Sequence, residues 1–328
     1  MLQHASPGAK LAPFHVFVAS RCIRCLYPRG TADPGGVCEC GGGRAGAREG
    51  PVSAERAGGQ KNISAAAGVD PSRRRLLSAD EPSPVTLEQA DGGSDFVLVC
   101  DHASRLIPRT LGTLGLSETE LSSHVAWDIG AAGVTRLLAQ RIDAPALLQN
   151  YSRLVIDCNR PLQAADSIPQ LSEWVRIAAN EHLDAAAVEA RQAEIFAPYH
   201  EALRALLDRR QRERRQTLLV SLHSFTPSYR GEARPWHIGL MYRHDARLAA
   251  PLLQLLRRDE RLLVGDNQPY AVGDDTDLTL PQHGEARGIV HVGVEIRNDL
   301  IADEAGQKTW AGRLASLLKQ AATMIDRS

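Results

Sequence analysis

Three stretches of this chain carry apolar runs that end on, or enclose, residues able to hold a cation or move a proton. FVLVC, residues 96–100, stops at Asp101 and His102. TLLVSL, 217–222, runs into His223, and Glu295 stands inside VHVGVEIRNDL, 290–300. Short uninterrupted apolar runs mark strands buried on both faces, and an open parallel sheet gathers its ligands beyond the carboxyl ends of its strands. Two imidazoles and a carboxylate brought to one edge imply a divalent metal with a general base beside it. A single histidine near a strand end is more often a hydrogen-bonded structural residue, but three capable strands in one sheet reverse that expectation. Glu295 is the sharpest of the three. Flanked by Val292, Val294 and Ile296, its carboxylate is costly to bury unpaired, so something cationic should face it. Arg297, two residues on and on the same side of the strand, is one candidate; a water held by the metal is another.

A catalytic zinc takes three protein ligands and keeps one open position. Asp128, at the start of a helix expected over 128–142, could be the third ligand or a plain N-cap. Asp101 and Asp157 are alternatives, as ligands or as carboxylates that orient an imidazole. The residues alone leave that choice open. Arg153 and Arg160 flank a strand expected at 153–158, with Asn159 beside the second. A guanidinium there can fork a substrate carboxylate, or can pair internally with Asp157. The long connection 265–288 contains Asn267, Tyr270 and His283. Connections of that length often act as lids or binding loops, which makes His283 a candidate stabiliser of the transition state.

These groups need a scaffold, and the pattern predicts one. Strands are expected at 95–100, 145–149, 153–158, 217–222, 236–242 and 289–297. Between them, helices are expected near 128–142, 180–214, 245–258 and 303–326, and a shorter one opens with the capping-box pattern Ser117 to Glu120. Val134, Leu137, Leu138 and Ile142 share one helical face. The expectation is a single α/β domain of about 240 residues, with a mixed, mostly parallel sheet covered by helices on both faces. The arginine-rich run 209–215 reads as the solvated end of the long helix.

Residues 1–85 look different. They are rich in Gly, Ala, Arg and Pro without sustained periodicity, which predicts a disordered extension or non-native upstream sequence rather than a domain. Transit-peptide and signal-peptide patterns are only faint in it. Its Cys22, Cys25, Cys38 and Cys40 have poor spacing for a zinc ribbon. Residues 1–75 carry 11 Lys/Arg against 5 Asp/Glu, leaving 27 against 34 for the rest, so the body is net negative. That disfavours nucleic acid as a partner, and no apolar window is long enough for a membrane span. Cys100 and Cys158, both within apolar runs, fit reduced core thiols in a cytoplasmic protein. No dinucleotide or P-loop glycine motif follows a strand.

Taken in order, CDHASRLIP (100–108), AWDIGAAG (126–133), SRLVIDCNRP (152–161), SLHSFTP (221–227), GDNQPY (265–270), HGEARG (283–288) and VEIRNDL (294–300) resemble the N-formylglutamate amidohydrolase family. The likeness spans about residues 90–325. It implies a phosphorylase/hydrolase-like fold, similar to zinc carboxypeptidases, across the domain 86–328. It also implies hydrolysis of the amide of an N-formyl or other N-acyl acidic amino acid, a small-molecule substrate. By position, His102 and His223 resemble zinc ligands with Asp128 as the third, Glu295 the general base, and Asn159–Arg160 a carboxylate-binding pair. Arg105 departs from the pattern, standing where this branch often has Asn. Another N-acyl amino acid or a small peptide as substrate, or a non-catalytic relative that only binds ligand, are the competing readings.

Overall fold

The structure is a computed structural model describing residues 75–325. The expectations for residues 1–74, including the four early cysteines, lie outside the described residues. The chain enters through β1 (Val85–Glu88) and β2 (Phe96–Cys100), then α1 (Glu118–Ser122), α2 (Ala131–Ile142) and β3 (Ala146–Gln149). A small hairpin, β4 (Leu171–Ser172) and β5 (Val175–Arg176), precedes α3 (Ala185–Arg191) and α4 (Ala197–Arg212). Next come β6 (Leu218–Phe225), a second small hairpin of β7 (Ser228–Tyr229) and β8 (Glu232–Ala233), and β9 (Ile238–Met241). The chain closes with α5 (Ala249–Leu256), β10 (Val264–Asp266), β11 (Val290–Arg297) and α6 (Glu304–Ile325).

Seven strands form one sheet in the order β1-β3-β2-β6-β11-β9-β10. Strands β3, β2, β6 and β11 run parallel; β1 pairs antiparallel with β3, and β9 antiparallel with β11 but parallel with β10. The result is the expected mixed, mostly parallel sheet of an α/β fold. Its two faces follow from alternation along the strands. Leu98, Val220, Leu222, Val292 and Val294 pack with α2, α5 and α6 through Val134, Leu138, Leu252 and Leu314. Val97, Val99 and Leu219 face the other way, toward Tyr199, Leu203 and Leu207 of α4. Ser221, His223, Gly293 and Glu295 have that second parity. In register, His223 lies opposite Glu295 and Ser221 opposite Gly293, so these side chains emerge on one face at adjacent heights.

Several expectations change. Residues 153–158 are not a strand but a turn-rich segment, although Leu154, Val155 and Ile156 are fully buried. Their apolar run reflects burial, which an irregular segment shares with a strand. The segment meets its backbone needs through side chains, since Asn180 donates to the carbonyls of Leu154 and Pro169 at 2.7 and 2.8 Å. The capping box is present, with Ser117 accepting from the Glu120 amide and the Glu120 carboxylate accepting from Ser117. The long helix starts at 185 rather than 180 and loosens into a π turn over Gln192–Phe196 before α4. Residues 75–84, assigned above to the extension, belong to the body: Leu76 is buried, and Glu194 in the π turn accepts from the Leu76 and Leu77 amides at 2.8 and 2.9 Å. The arginine run is only partly solvated. Arg210 is buried and donates to the carbonyls of Ser94 and Gln216, and Arg215 reaches Gly92 and Ser94, so the run staples the approach to β2. Strands β1 and β10 were not foreseen; both lie at sheet edges and are three or four residues long.

Candidate metal centre and cleft

His102 sits two residues beyond the end of β2, after Asp101, and His223 lies in the last half of β6. Asp128 comes from the loop before α2, and it does not cap that helix. The cap is Gly130, whose φ of 82° and close approach to the Ile301 carbonyl leave no room for a side chain. Asp128 is instead tied to the sheet, its amide donating to the His102 carbonyl at 3.0 Å and its Oδ2 accepting from the Ser224 amide at 3.2 Å. His102, Asp128 and His223 are all buried, and one donor atom from each lies within 4.8 Å of the others.

The hydrogen bonds around the two rings decide which atoms face inward. His102 Nε2 lies 2.7 Å from Asp157 Oδ1. His223 Nε2 lies 2.8 Å from Ser221 Oγ, which donates to Asp101 Oδ2 at 3.1 Å, and Nε2 itself is 3.2 Å from that oxygen. An ionised carboxylate only accepts, so the groups behind the rings hold a proton on each Nε2, and when a ring is neutral its Nδ1 is the atom left with a lone pair. Both Nδ1 atoms point at one oxygen, Asp128 Oδ2, at 2.9 Å from His223 and 3.4 Å from His102. Protonated rings would donate to that oxygen from Nδ1; neutral rings leave three acceptors around one point, which only a cation among them reconciles. Their separations match the edge of a tetrahedron built on bonds of about 2 Å, which is about 3.3 Å. A divalent metal fits this donor set, and a carboxylate behind each ring is the usual device for orienting a metal-binding imidazole.

Charge balance says the same. Burial alone would raise Asp101, Asp128 and Asp157, yet the imidazoles, with Arg153 beside Asp157, hold all three below the usual carboxylate range. Burial opposes charge on His223 and His102 too, but the surrounding carboxylates raise both. The pocket demands positive charge. Glu295, one strand over from His223, is pushed up to about 7 chiefly by burial, and its Oε2 has no hydrogen-bond partner.

These groups open into a cleft of about 340 Å³ whose lining includes Arg153, Asn159, Arg160, Tyr270, Arg230 and Glu295. The size suits a small organic substrate. Arg153 donates to Asp157 at 2.7 Å and its other nitrogen lies 3.6 Å from Asp128. Arg160 pairs with Asp166 at 2.9 Å and donates to the Thr276 carbonyl. The Asn159 side chain donates one N–H to Asp277 and accepts from the Leu278 and Thr279 amides. Arg297 turns away from Glu295 to Asp299, at 2.8 Å, because the strand ends there and the chain bends into a 3₁₀ turn. His283 does not reach the cleft either. Residues 280–284 coil into a π turn that buries its ring against His200, at 3.0 Å between ring nitrogens. Arg105 lies outside the lining, paired with Glu118 and Ser122. The residues completing Asp101, namely Tyr199 at 2.6 Å and Thr279 at 2.7 Å, were not foreseen, whereas Ser221 carried a signal: it is two residues before His223, hence on the same face.

Comparison with known proteins follows the same line. No curated protein sequence matches the chain. Among solved structures, gene product Atu2144 from Agrobacterium tumefaciens is 40% identical, with a TM-score of 0.75 over 77% of this chain and 100% of that one. N-formylglutamate amidohydrolase from Ralstonia eutropha JMP134 superposes with a TM-score of 0.58 over 75% of this chain and 99% of that one; at 18% identity the likeness speaks to the fold alone. The family model for N-formylglutamate amidohydrolase matches residues 94–302, which contain every donor described above. The chain therefore belongs to the N-formylglutamate amidohydrolase family.

Proposed function

We propose that the chain is a zinc-dependent hydrolase of N-formylglutamate or a closely related N-acyl acidic amino acid, releasing the acid and the free amino acid. The observation that carries this reading is the convergence of two carboxylate-oriented imidazoles and Asp128 beside a buried, unpartnered Glu295. Two imidazole nitrogens and one carboxylate oxygen favour zinc over magnesium or calcium, which prefer oxygen alone. Bound by His102, His223 and Asp128, zinc would supply Lewis acidity and lower the pKa of a coordinated water.

The chain's own groups do the rest. Glu295 accepts the proton of the attacking water and delivers it to the departing amine. Its ordinary carboxylate affinity for protons is raised by burial, which suits a group that must both take and give a proton near neutrality. Arg153, which lines the cleft and is held by Asp157, donates to the carbonyl oxygen as negative charge develops there. Asp157 and Asp101 keep the two rings in the tautomer that presents Nδ1. Buried Cys100 and Cys158, neither in a disulfide, suit a reducing compartment, and we place the enzyme in the cytoplasm. No helix among the described residues is long and apolar enough to cross a membrane.

The test joins elemental analysis of the purified protein to formate and amine release from N-formyl and N-acetyl amino acids. About one zinc per chain is expected, with activity lost on chelation and restored by zinc. A metal-free preparation with full activity would overturn the metal reading; a zinc-bearing protein inert on every acidic substrate would overturn the substrate reading.

A further inference from the structure

Two hairpins meet tip to tip at the mouth of the cleft. In the first, β4 and β5 pair Ser172 with Val175, leaving Glu173 and Trp174 at the turn. In the second, β7 and β8 pair Tyr229 with Glu232, leaving Arg230 and Gly231. Arg230 and Gly231 both have positive φ, 53° and 84°, as a tight two-residue hairpin turn requires. Glycine takes this geometry freely, but an arginine there is uncommon, and Glu173 at the opposite tip has the same φ of 53°. The tips are locked together. The Arg230 amide donates to Glu173 Oε1 at 2.8 Å, and His124 Nε2 lies 3.0 Å from Glu173 Oε2, though not aligned as a hydrogen bond.

The three arginines lining the cleft differ in one respect. Arg153 and Arg160 are each paired with aspartate, at 2.7 and 2.9 Å. The Arg230 guanidinium has no carboxylate within ion-pairing distance among the described residues; Glu173, its neighbour, receives only its backbone amide. Its guanidinium carbon sits 5.4 Å from the ring centres of both Trp174 and Tyr229. Stacking on aromatic faces fixes a guanidinium's plane while leaving its edge N–H groups free to donate. Trp174 is 72% exposed, an uncommon position for so large an apolar surface unless something covers it. Beside this pair, Arg234 stacks on Tyr229 and Tyr270 and donates to the Tyr270 hydroxyl at 2.7 Å, which braces the rim.

We infer that Arg230 is the specificity residue of the cleft, its free guanidinium edge forking the distal, side-chain carboxylate of the substrate while Trp174 covers the substrate's methylenes. The inference rests on the proposed amide hydrolysis and deepens it. The substrate class is an N-acyl α-amino acid with a second carboxylate at the end of a short aliphatic side chain. Arg160 differs from Arg230 in that its charge is already balanced by Asp166, although part of its guanidinium edge remains unbonded.

The experiment compares kcat/KM for N-formylglutamate and N-formylglutamine, which differ in side-chain charge at nearly constant shape, in the zinc-loaded wild type, Arg230→Gln and Arg230→Lys. Wild type should prefer the glutamate compound. In Arg230→Gln that preference should fall by about 10–100-fold, the range for losing a charge-assisted pair. The loss should lie mostly in KM for the glutamate compound, with kcat nearly unchanged, and Arg230→Lys should recover part of it. A wild type with no preference, an unchanged preference in Arg230→Gln, or an equal loss on both compounds would each overturn the assignment. A zinc-bearing wild type that cleaves neither compound would bring down the parent hydrolase reading, and this one with it.

Discussion

Among the described residues, two pairs of buried histidines stand at nearly equal spacing, and they are opposites. His102 and His223 have ring centres 5.1 Å apart and tilted by 60°; His200 and His283 are 5.2 Å apart and stacked within 7°. The first pair is ringed by Asp101, Asp128 and Asp157, so each ring is held above its ordinary proton affinity despite burial. The second pair has no carboxylate bonded to it among the described residues. His200 meets the Cys158 carbonyl at 2.9 Å and its partner ring, and burial lowers His200 to about 4 and His283 to about 3. Burial and spacing therefore do not make a candidate metal site. Acceptors directed at one point do, together with carboxylates behind the rings to fix the tautomer.

The strongest way to break this contrast is to disable the chemistry at one pair and leave the other intact. Glu295→Gln should reduce kcat/KM by about 10²- to 10⁴-fold, the usual contribution of a general base, while zinc content stays at the wild-type level. His283→Gln, which alters the other pair, should keep turnover within a few-fold of wild type. An inactive, zinc-replete His283→Gln enzyme would erase the distinction between the two pairs. Steady-state kinetics and metal analysis on the two variants decide it.

A smaller effect should follow from loosening the carboxylates behind the rings. Asp157→Asn and Asp101→Asn should each weaken zinc binding by about 10- to 100-fold, as loss of an orienting carboxylate commonly does. Competition against a chromogenic chelator would show this, and affinity equal to wild type would mean the tautomers are set by other groups.

The mildest prediction concerns the second pair and acid. His200 and His283 take up protons only near 4 and 3 when folded, against 6.5 for an ordinary imidazole. Between those values the unfolded chain binds more protons than the folded one. The stability linked to keeping these rings neutral is thus complete above about 6.5 and is lost as pH falls toward 4 and then 3, at most about 1.4 kcal/mol for each unit of displacement in each ring. Urea midpoints between pH 7 and 4 should fall less steeply in a His200→Gln, His283→Gln double variant than in wild type. Parallel slopes would show that the two rings do not titrate as burial dictates.

Strand positions, helix faces, the Ser117 capping box and the donors His102, His223 and Glu295 were legible in the residues because all are local. A buried strand writes its apolar run into consecutive positions, and a polar residue at its end is visible without knowing its neighbours. The three aspartates could not be ranked that way. Asp101, Asp128 and Asp157 each stand near an apolar run, and only the loop geometry sends Asp128 inward and the other two behind the imidazoles. The segment 153–158 misled for the related reason that burial in an irregular loop leaves the same apolar signature as burial in a sheet. His283 and Arg297 were misplaced because a π turn and a strand end rotate side chains by amounts that no period records. Arg230 carried no sequence signal at all, since its importance comes from the absence of a partner. The chain alone thus determined which groups could reach the sheet's edge. The tertiary structure decided which of them face one another, because side-chain direction in loops and turns depends on contacts made far away in sequence.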